Sequence, residues 1–319
     1  MVCALPSTAR LTGDNFYLFH TFFRKEDSLP GVAVTKVSVL MPVYNTREDH
    51  LRQAIESILN QTFTDFEFLI LNDASTDPSV ESVIKSYDDP RIIYDVNERN
   101  LGISESRNRL MDMAHGEYFA VMDHDDISLP ERLEKEAAYL DTHPEVGFVC
   151  CQAGSPDSSK ITDFPLDDLS IKKSLMVWCR LCHPACMLRS SILKKYALQY
   201  EKIFFPCEDH ALFCRMIPFT EFAVLPEILF LYRCWPGNTS HKYKKTLEAS
   251  RLGVLDFAHR ENPELWAMAQ MYIKKSSHIK FLGIPILLII HTYTYDIWKL
   301  FGIIPILKIK RRPVGLIDI

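Results

Sequence analysis

An excess of positive charge is absent from this sequence. Its 319 residues carry 36 Lys and Arg against 41 Asp and Glu, for a net charge of −5. Binding to a phosphate backbone needs a basic face, so we expect no nucleic-acid partner. The chain also begins without the basic stretch and unbroken apolar run of a secretory signal peptide. We therefore expect a cytoplasmic protein.

The sequence also lacks the cysteine pattern of a disulfide-linked domain. Its nine cysteines are an odd number, and Cys150 and Cys151 are adjacent. Cys179, Cys182 and Cys186 cluster in CRLCHPAC, but no second CxxC or HxxxH accompanies them. Buried free thiols are therefore favoured over a zinc or iron–sulfur site. Free thiols fit a reducing compartment.

No apolar run in the sequence has the length of a transmembrane helix. The longest candidate, FLGIPILLII at residues 281–290, has about half that length. Asp296 and Pro305 interrupt the apolar sequence that follows, and KIKRR at 308–312 is basic. Short apolar helices beside a basic cluster are typical of a segment in the membrane interface. We predict such a helical segment over residues 241–319, with helices packed on the main domain as the alternative.

From residue 36 to about residue 121, β-branched apolar runs alternate with amphipathic helical patterns. KVSVLMPV, FEFLILN, RIIYDV and EYFAV predict strands, and TREDHLRQAIESILN has its apolar residues at helical spacing. Strands and helices that alternate at these intervals predict βαβ units and a largely parallel α/β sheet. Residues 1–35, which precede this region, are predicted to be an N-terminal extension.

Polar side chains follow three of the predicted strands at the point where each strand ends. Tyr44 and Asn45 follow the first, Asp73 follows the second, and Asp123 to Asp126 follow the fourth in YFAVMDHDD. Ligands of such sheets bind beyond the carboxyl ends of the strands. Adjacent carboxylates repel one another, and burying one unpaired is costly, so a positive partner is expected there. Turn residues that only cap helices are the alternative.

The motifs VSVLMPVYN, FLILNDASTD, NLGISESRN and GEYFAVMDHDD occur in an order and spacing that resemble the inverting family 2 glycosyltransferases. The resemblance covers residues 36–240 and implies a GT-A fold, with a Rossmann-like, mostly parallel sheet flanked by helices. It implies a nucleotide-sugar half at 36–130 and an acceptor half at 131–240. The bacterial enzymes that build lipopolysaccharide and capsule are the members it most resembles.

The resemblance also assigns residues to the donor. It implies that Tyr44 stacks on or flanks the nucleotide base, that Asp73 hydrogen-bonds uracil, and that Arg107 lies near the nucleotide, with Pro42 also among the donor-binding residues. Asp123 and Asp125 correspond to the DxD motif of the family.

A pyrophosphate cannot lie beside bare carboxylates, whereas a hard divalent ion bridges the two. Mg²⁺ or Mn²⁺ is therefore the implied cofactor, with Asp125 the first ligand expected, and a UDP-sugar is the implied co-substrate. His124 lies between Asp123 and Asp125 in the sequence, and the alternation of side chains along an extended segment directs it away from both of them.

The acceptor half carries the implied catalytic residue. FPCEDHALFCRM resembles the ED motif, in which Asp209 is the implied general base and Glu208 lies on the acceptor side. The apolar residues that follow have helical spacing, so the pair is expected at a helix N-terminus, where the macrodipole favours a carboxylate. The chain lacks the QxxRW of processive members. LYRCW replaces it, with Arg233 and Trp235 expected on the acceptor side.

These features predict a metal-dependent, inverting transfer of a sugar to a hydroxyl of a glycan or lipid-linked acceptor, in surface polysaccharide biosynthesis. The predicted location is the inner face of the cell membrane, with peripheral contact through the C-terminus. Two alternatives stay open, a sugar-nucleotide pyrophosphorylase and a non-catalytic nucleotide-sugar-binding module. The first needs a Gly-rich phosphate loop after strand one, where PVYNTRED is acidic and Gly-free. The sequence does not identify the sugar, the linkage or the role of Asp126.

Overall fold

A computed structural model describes residues 35–273, 275–281, 284–291, 295–300 and 304–310. All of them belong to one unit, Val34–Ile319. The predicted N-terminal extension lies outside the described residues except for its last residue.

A nine-stranded sheet forms the centre of the part of the chain that the structure describes. The strands run in the order β3-β2-β1-β4-β8-β6-β9-β5, and β7 pairs with β6. Their bounds are β1 Val37–Val43, β2 Phe66–Asn72, β3 Ile92–Val96, β4 Tyr118–Val121, β5 Ile127–Ser128, β6 Val146–Ser155, β7 Ser158–Ile161, β8 Cys186–Arg189 and β9 Glu221–Leu231.

Ten helices accompany the strands in the described ranges. They are α1 Glu48–Leu59, α2 Pro78–Lys85, α3 Ile103–Met113, α4 Arg132–Thr142, α5 Asp168–Leu175, α6 Ser190–Lys195, α7 Glu208–Met216, α8 Thr239–Lys242, α9 Lys244–Glu261 and α10 Pro263–Ile273. Two short 3-10 turns, His183–Ala185 and Lys202–Phe204, lie before β8 and α7.

The first half of the sheet confirms the predicted alternation of strands and helices. Every residue of β1 and β2 is buried, as expected of parallel strands covered on both faces. Helix α1 buries one stripe that includes Leu51, Ile55 and Ile58, at the spacing of an amphipathic helix. Its first turn carries two acidic residues, but no side chain caps its N-terminus.

The sheet is mixed, so the prediction of a mostly parallel sheet is correct only for its first half. Strands β3, β2, β1 and β4 are parallel, whereas β8 pairs antiparallel with both β4 and β6. Strand β8 follows α5 and the short turn at His183–Ala185, and it is the strand that reverses direction between β4 and β6. The strands of both predicted halves thus lie in one continuous sheet.

The prediction of a helical segment over residues 241–319 is correct up to Ile273 and wrong for the described residues between 275 and 310, whereas residues 311–319 lie outside the described residues. Four antiparallel strands follow, β10 Lys275–Phe281, β11 Ile284–His291, β12 Tyr295–Leu300 and β13 Ile304–Lys310. Ile, Tyr and Trp favour strands, and a proline inside a helix removes a backbone donor. Pro285 and Pro305 instead occupy the second positions of β11 and β13. Within the described ranges, no helix is long and apolar enough to cross a membrane.

Candidate active site

The loops after β1, β2 and β4 meet at one edge of the sheet, because these strands are parallel neighbours. Asn45 joins the first two loops, since its Nδ2 donates to Thr76 Oγ1 at 3.2 Å and its Oδ1 accepts from the Thr76 amide at 2.9 Å. The segment after β4, Asp123–Asp126, is called the acidic loop below. His124 joins it to the first loop, because its Nδ1 lies 2.6 Å from Thr46 Oγ1. The predicted convergence of these loops is therefore confirmed.

Arg107 connects the acidic loop to the start of α7. Its Nη1 donates to Glu208 Oε1 at 2.9 Å and its Nη2 donates to Asp123 Oδ1 at 3.0 Å. Burial lowers the pKa of Arg107, but the charges of Asp123 and Glu208 outweigh burial and raise it. The guanidinium therefore stays charged and bridges two acids that lie 85 residues apart in the chain.

Glu208 and Asp209 form the first turn of α7, as predicted. Glu208 is buried, and its Oε2 has no hydrogen-bond partner within the described ranges. Burial raises the pKa of Glu208 to about 7, against the opposing charge of Arg107. Asp209 is partly exposed, and its Oδ1 accepts the amide of His210 at 2.7 Å. Of the pair, only Asp209 is open to a substrate.

Asp125 is held by the loop that follows β9. Trp235 Nε1 donates to Asp125 Oδ2 at 2.7 Å, and Arg233 Nε donates to the Asp125 carbonyl at 2.8 Å. Arg233 also donates to Gln53 Oε1 at 2.7 Å. The loop is tied to itself, because Asn238 accepts from the Trp235 amide and donates to the Arg233 carbonyl. Arg233 and Trp235 thus lie against the acidic loop itself.

Asp126 anchors the same loop. It is fully buried, and its Oδ1 accepts the Arg233 amide at 2.7 Å, whereas its Oδ2 has no hydrogen-bond partner among the described residues. Burial raises the pKa of Asp126 well above its ordinary value, and the charges of Asp125 and Asp123 raise it further. Its role was not predictable from the sequence, because its partner lies 107 positions away.

Asp73 accepts three hydrogen bonds from the protein. Its Oδ1 accepts from Asn97 Nδ2 at 2.7 Å and from the Leu101 amide at 2.8 Å, and its Oδ2 accepts from the Gly102 amide at 2.9 Å. Asp73 therefore holds the entry to α3, and its contact with uracil stays a prediction. Tyr44 has 39 % of its surface exposed, and Pro42 is buried within β1.

The donor set at the acidic loop fits a hard divalent cation. Asp123 and Asp125 each commit one carboxylate oxygen, to Arg107 and Trp235 respectively. Each carboxylate retains a second oxygen for a cation. Mg²⁺ is commonly bound by one or two carboxylates plus substrate phosphates, so two Asp side chains suffice. In the described part of the chain, no group of three or more His, Cys, Asp or Glu side chains forms a metal-holding cluster.

The cysteines of CRLCHPAC are free thiols in the structure. Cys186 is buried, and Cys179 and Cys182 are partly exposed. The thiols of Cys186 and Cys150 both donate to the Cys182 carbonyl, at 3.3 and 3.5 Å. These contacts pack β8 against β6 behind the acidic loop.

The match to a family model decides the classification of the chain. Residues 38–217 match the model described as glycosyl transferase family 2. The chain belongs to this family. It is therefore a glycosyltransferase, and family membership disfavours both alternatives that the sequence left open.

Relatives and solved structures agree with this assignment. An uncharacterised glycosyltransferase of Methanocaldococcus jannaschii is 37% identical over 205 residues, which cover 62% of this chain and 70% of the relative. The 1–349 fragment of TarS of S. aureus, in complex with UDP, superposes with a TM-score of 0.58 at 20% identity, covering 74% of this chain and 70% of that fragment. A mannosyltransferase of Pyrobaculum calidifontis, in complex with GDP-Man and Mn²⁺, has a TM-score of 0.51 at 15% identity, with 75% and 74% covered. At these identities the two structures establish the GT-A fold alone.

Proposed function

We propose that this glycosyltransferase transfers a sugar from a UDP-sugar to an acceptor hydroxyl with inversion at the anomeric carbon. The observation that carries the proposal is the Arg107 bridge. It brings the carboxylate of Asp123 and the turn that holds Asp209 to the same guanidinium. A donor-side acid and a candidate base thus occupy one site at the sheet edge where α/β sheets bind ligands.

A nucleotide sugar as donor is supported by the solved structures that share the fold. TarS has been solved with UDP and with UDP-GlcNAc, and the archaeal mannosyltransferase with GDP-Man. In this chain, the exposed ring of Tyr44 offers an aromatic face for a base. Uracil is the base that the family resemblance favours, with Asp73 as its proposed contact.

A divalent cation would be held by Asp125 and Asp123. Bound there, Mg²⁺ or Mn²⁺ neutralises the charge that develops on a nucleoside diphosphate leaving group. Arg107 is already paired with two carboxylates. We therefore assign it to holding these acids in place rather than to contacting the leaving group.

Asp209 is the proposed general base. Its carboxylate accepts the proton of the acceptor hydroxyl while that oxygen bonds to the anomeric carbon and the bond from that carbon to the UDP oxygen breaks. One direct displacement inverts the configuration. Asp209 lies in the first turn of α7 and is partly exposed, and the adjacent Glu208 pairs with Arg107.

A lipid-linked or glycan acceptor in surface polysaccharide synthesis is the proposed context. It rests on the apolar run at 281–290 and the basic cluster at 308–312, which together favour contact with anionic lipid. Peripheral attachment at the inner face of the cell membrane follows from the same pattern.

UDP release is the measurement that tests the function. Purified enzyme is given a panel of UDP-sugars with Mg²⁺, Mn²⁺ or EDTA, with and without a glycan-lipid extract. We expect metal-dependent UDP release that the extract stimulates. Asp209→Asn should abolish transfer and keep UDP binding, with Glu264→Gln, an exposed acid of α10, as the control. Substantial transfer by Asp209→Asn would rule out the base assignment, and formation of UTP from pyrophosphate would indicate a pyrophosphorylase.

A further inference from the structure

The guanidinium of Arg107 has one nitrogen that no acceptor holds. Nη1 and Nη2 are paired with Glu208 and Asp123, but Nε is buried and has no hydrogen-bond partner among the residues that the structure describes. The two carboxylates belong to different elements, so each can move the guanidinium with it. A further contact is needed to fix the plane of the group.

Tyr200 supplies that contact. The Arg107 Cζ atom lies 5.5 Å from the centre of the Tyr200 ring, within the range of a cation–π interaction. Tyr200 is buried, and such a contact is stronger when water is excluded.

Asn108 fixes the backbone of Tyr200. The Asn108 Nδ2 atom donates to the Tyr200 carbonyl at 2.8 Å, and the Tyr200 amide donates to Asn108 Oδ1, also at 2.8 Å. Asn108 directly follows Arg107 on α3. One helix therefore carries both the guanidinium and the clamp for the ring beneath it.

His183 fixes the other end of Tyr200. Its Nε2 lies 2.8 Å from the Tyr200 hydroxyl, and its ring packs 5.9 Å from that of Phe213 on α7. Burial lowers the pKa of His183 well below its ordinary value, and the charge of Arg107 lowers it further. Burial also raises the pKa of the Tyr200 phenol, so the pair is neutral. Nδ1 of His183 is buried without a hydrogen-bond partner in the described part of the chain, a cost that calls for a reason.

We infer that Tyr200, packed against His183, is a positioning residue whose ring fixes Arg107, so that Arg107 holds Asp123 and the Glu208–Asp209 turn at a fixed distance from each other. The inference rests on the proposed function, because the relative placement of Asp123 and Asp209 matters only if both carboxylates serve one reaction. Neither residue touches a reacting atom. Their effect passes through Arg107, and a misplaced base lowers the rate of the chemical step more than donor binding.

The test is a double-mutant cycle between Tyr200 and Arg107. Tyr200→Leu should lower kcat about tenfold with less than about a twofold change in donor KM. Tyr200→Phe keeps the ring and should restore most of the rate. In an Arg107→Lys background, which lacks the planar group, Tyr200→Leu should cost less than about twofold. A full tenfold loss in that background would overturn the inference, because the two effects would then be independent.

Tyr118 provides the matched control for a general loss of packing. It is also buried, its hydroxyl lies 2.6 Å from Asp141 Oδ1, and the Arg189 Cζ atom lies 5.2 Å from its ring. Tyr118→Leu therefore removes similar contacts at the opposite end of β4. We expect a similar drop in Tm with kcat within about twofold of wild type. An equal loss of kcat in both variants would contradict a positioning role.

Urea unfolding of the four proteins of the cycle separates this inference from the proposed function. They are wild type, Tyr200→Leu, Arg107→Lys and the double variant. Coupling between Tyr200 and Arg107 in the free energy of unfolding requires no substrate. Wild-type enzyme that releases no UDP from any donor would refute the proposed function. An additive unfolding cycle would refute the Tyr200–Arg107 contact whatever the donor turns out to be.

Discussion

The indole nitrogen of Trp235 donates a hydrogen bond to Oδ2 of Asp125 across 2.7 Å. The same indole meets the ring of His50 edge-on, with centroids 5.3 Å apart. The loop after β9 therefore sets which oxygen of Asp125 faces the open site. In the proposed reaction, this oxygen is the one left for a cation.

Trp235→Phe should lower the affinity of the enzyme for its metal ion more than it lowers the free energy of unfolding. The variant keeps an aromatic ring but loses the donor to Asp125, and a hydrogen bond to a charged group contributes about 1.5–3 kcal/mol. We expect the Mn²⁺ concentration for half-maximal activity to rise about tenfold, as measured by a metal titration of UDP release. Trp178→Phe, at an exposed indole away from the acidic loop, is the control. Equal metal dependence in wild type and Trp235→Phe would contradict this role.

Glu208 should make the stability of the metal-free protein depend on pH near neutrality. Its pKa is raised from 4.5 to about 7 in the fold, so between these values the folded state binds the extra proton. The stabilisation is complete below pH 4.5 and is lost as pH rises to about 7, a loss on the order of 3 kcal/mol.

Glu208→Gln should remove this part of the pH dependence. The measurement is urea unfolding from pH 5 to 8 without metal or nucleotide, with the variant compared with wild type. Glu136→Gln is the matched control, because Glu136 is fully buried beside Arg132 and its pKa is raised to about 8. Both variants should flatten the profile, but only Glu208→Gln should lower activity. A wild-type slope retained in Glu208→Gln would contradict the assignment.

Asp126 should act as a neutral acceptor rather than as a metal ligand. Asp126→Asn keeps the oxygen that accepts the Arg233 amide and removes a buried acid that forms no ion pair within the described residues. We expect its kcat within about threefold of wild type and its Tm unchanged or higher. Asp126→Ala loses the anchor and should be destabilised by about 1–3 kcal/mol. An inactive but folded Asp126→Asn would indicate a direct role in the reaction.

Asp73 has two possible roles that one variant separates. Asp73→Ala leaves the Leu101 and Gly102 amides and the Asn97 side chain without their acceptor, so we expect a loss of about 2–4 kcal/mol in unfolding free energy without nucleotide. If Asp73 also hydrogen-bonds uracil, the variant should lose more affinity for UDP than for GDP. Equal losses for both nucleotides would leave only the structural role. Calorimetry and thermal unfolding give the two measurements.

The sequence predicted the parts of the site that depend on local pattern. Asp123 and Asp125 follow an apolar strand, and Glu208 precedes a helical run, so their places at β4 and α7 could be inferred from spacing. The Arg107 bridge could not, because it joins acids that lie 16 and 101 positions from Arg107. The position of Asn108, directly after Arg107 in SRN, places it near the site but does not identify its partner. Its partner Tyr200 lies 92 positions away.

The C-terminal strands change how membrane attachment must be tested. A truncation within the apolar run would divide β10 to β13, which pair with one another, and the unpaired edges that it exposes would promote aggregation. Truncation after Ile273, where α10 ends, removes the four strands and the basic cluster together. We expect the truncated protein to leave the membrane fraction and to keep UDP binding.

As a control, replacing Lys308, Lys310, Arg311 and Arg312 with Gln in the full chain should weaken binding to anionic vesicles by about 1 kcal/mol per charge. Unchanged fractionation of the truncated protein would refute attachment through this segment, and vesicle binding that does not depend on these charges would indicate that apolar contacts hold it there.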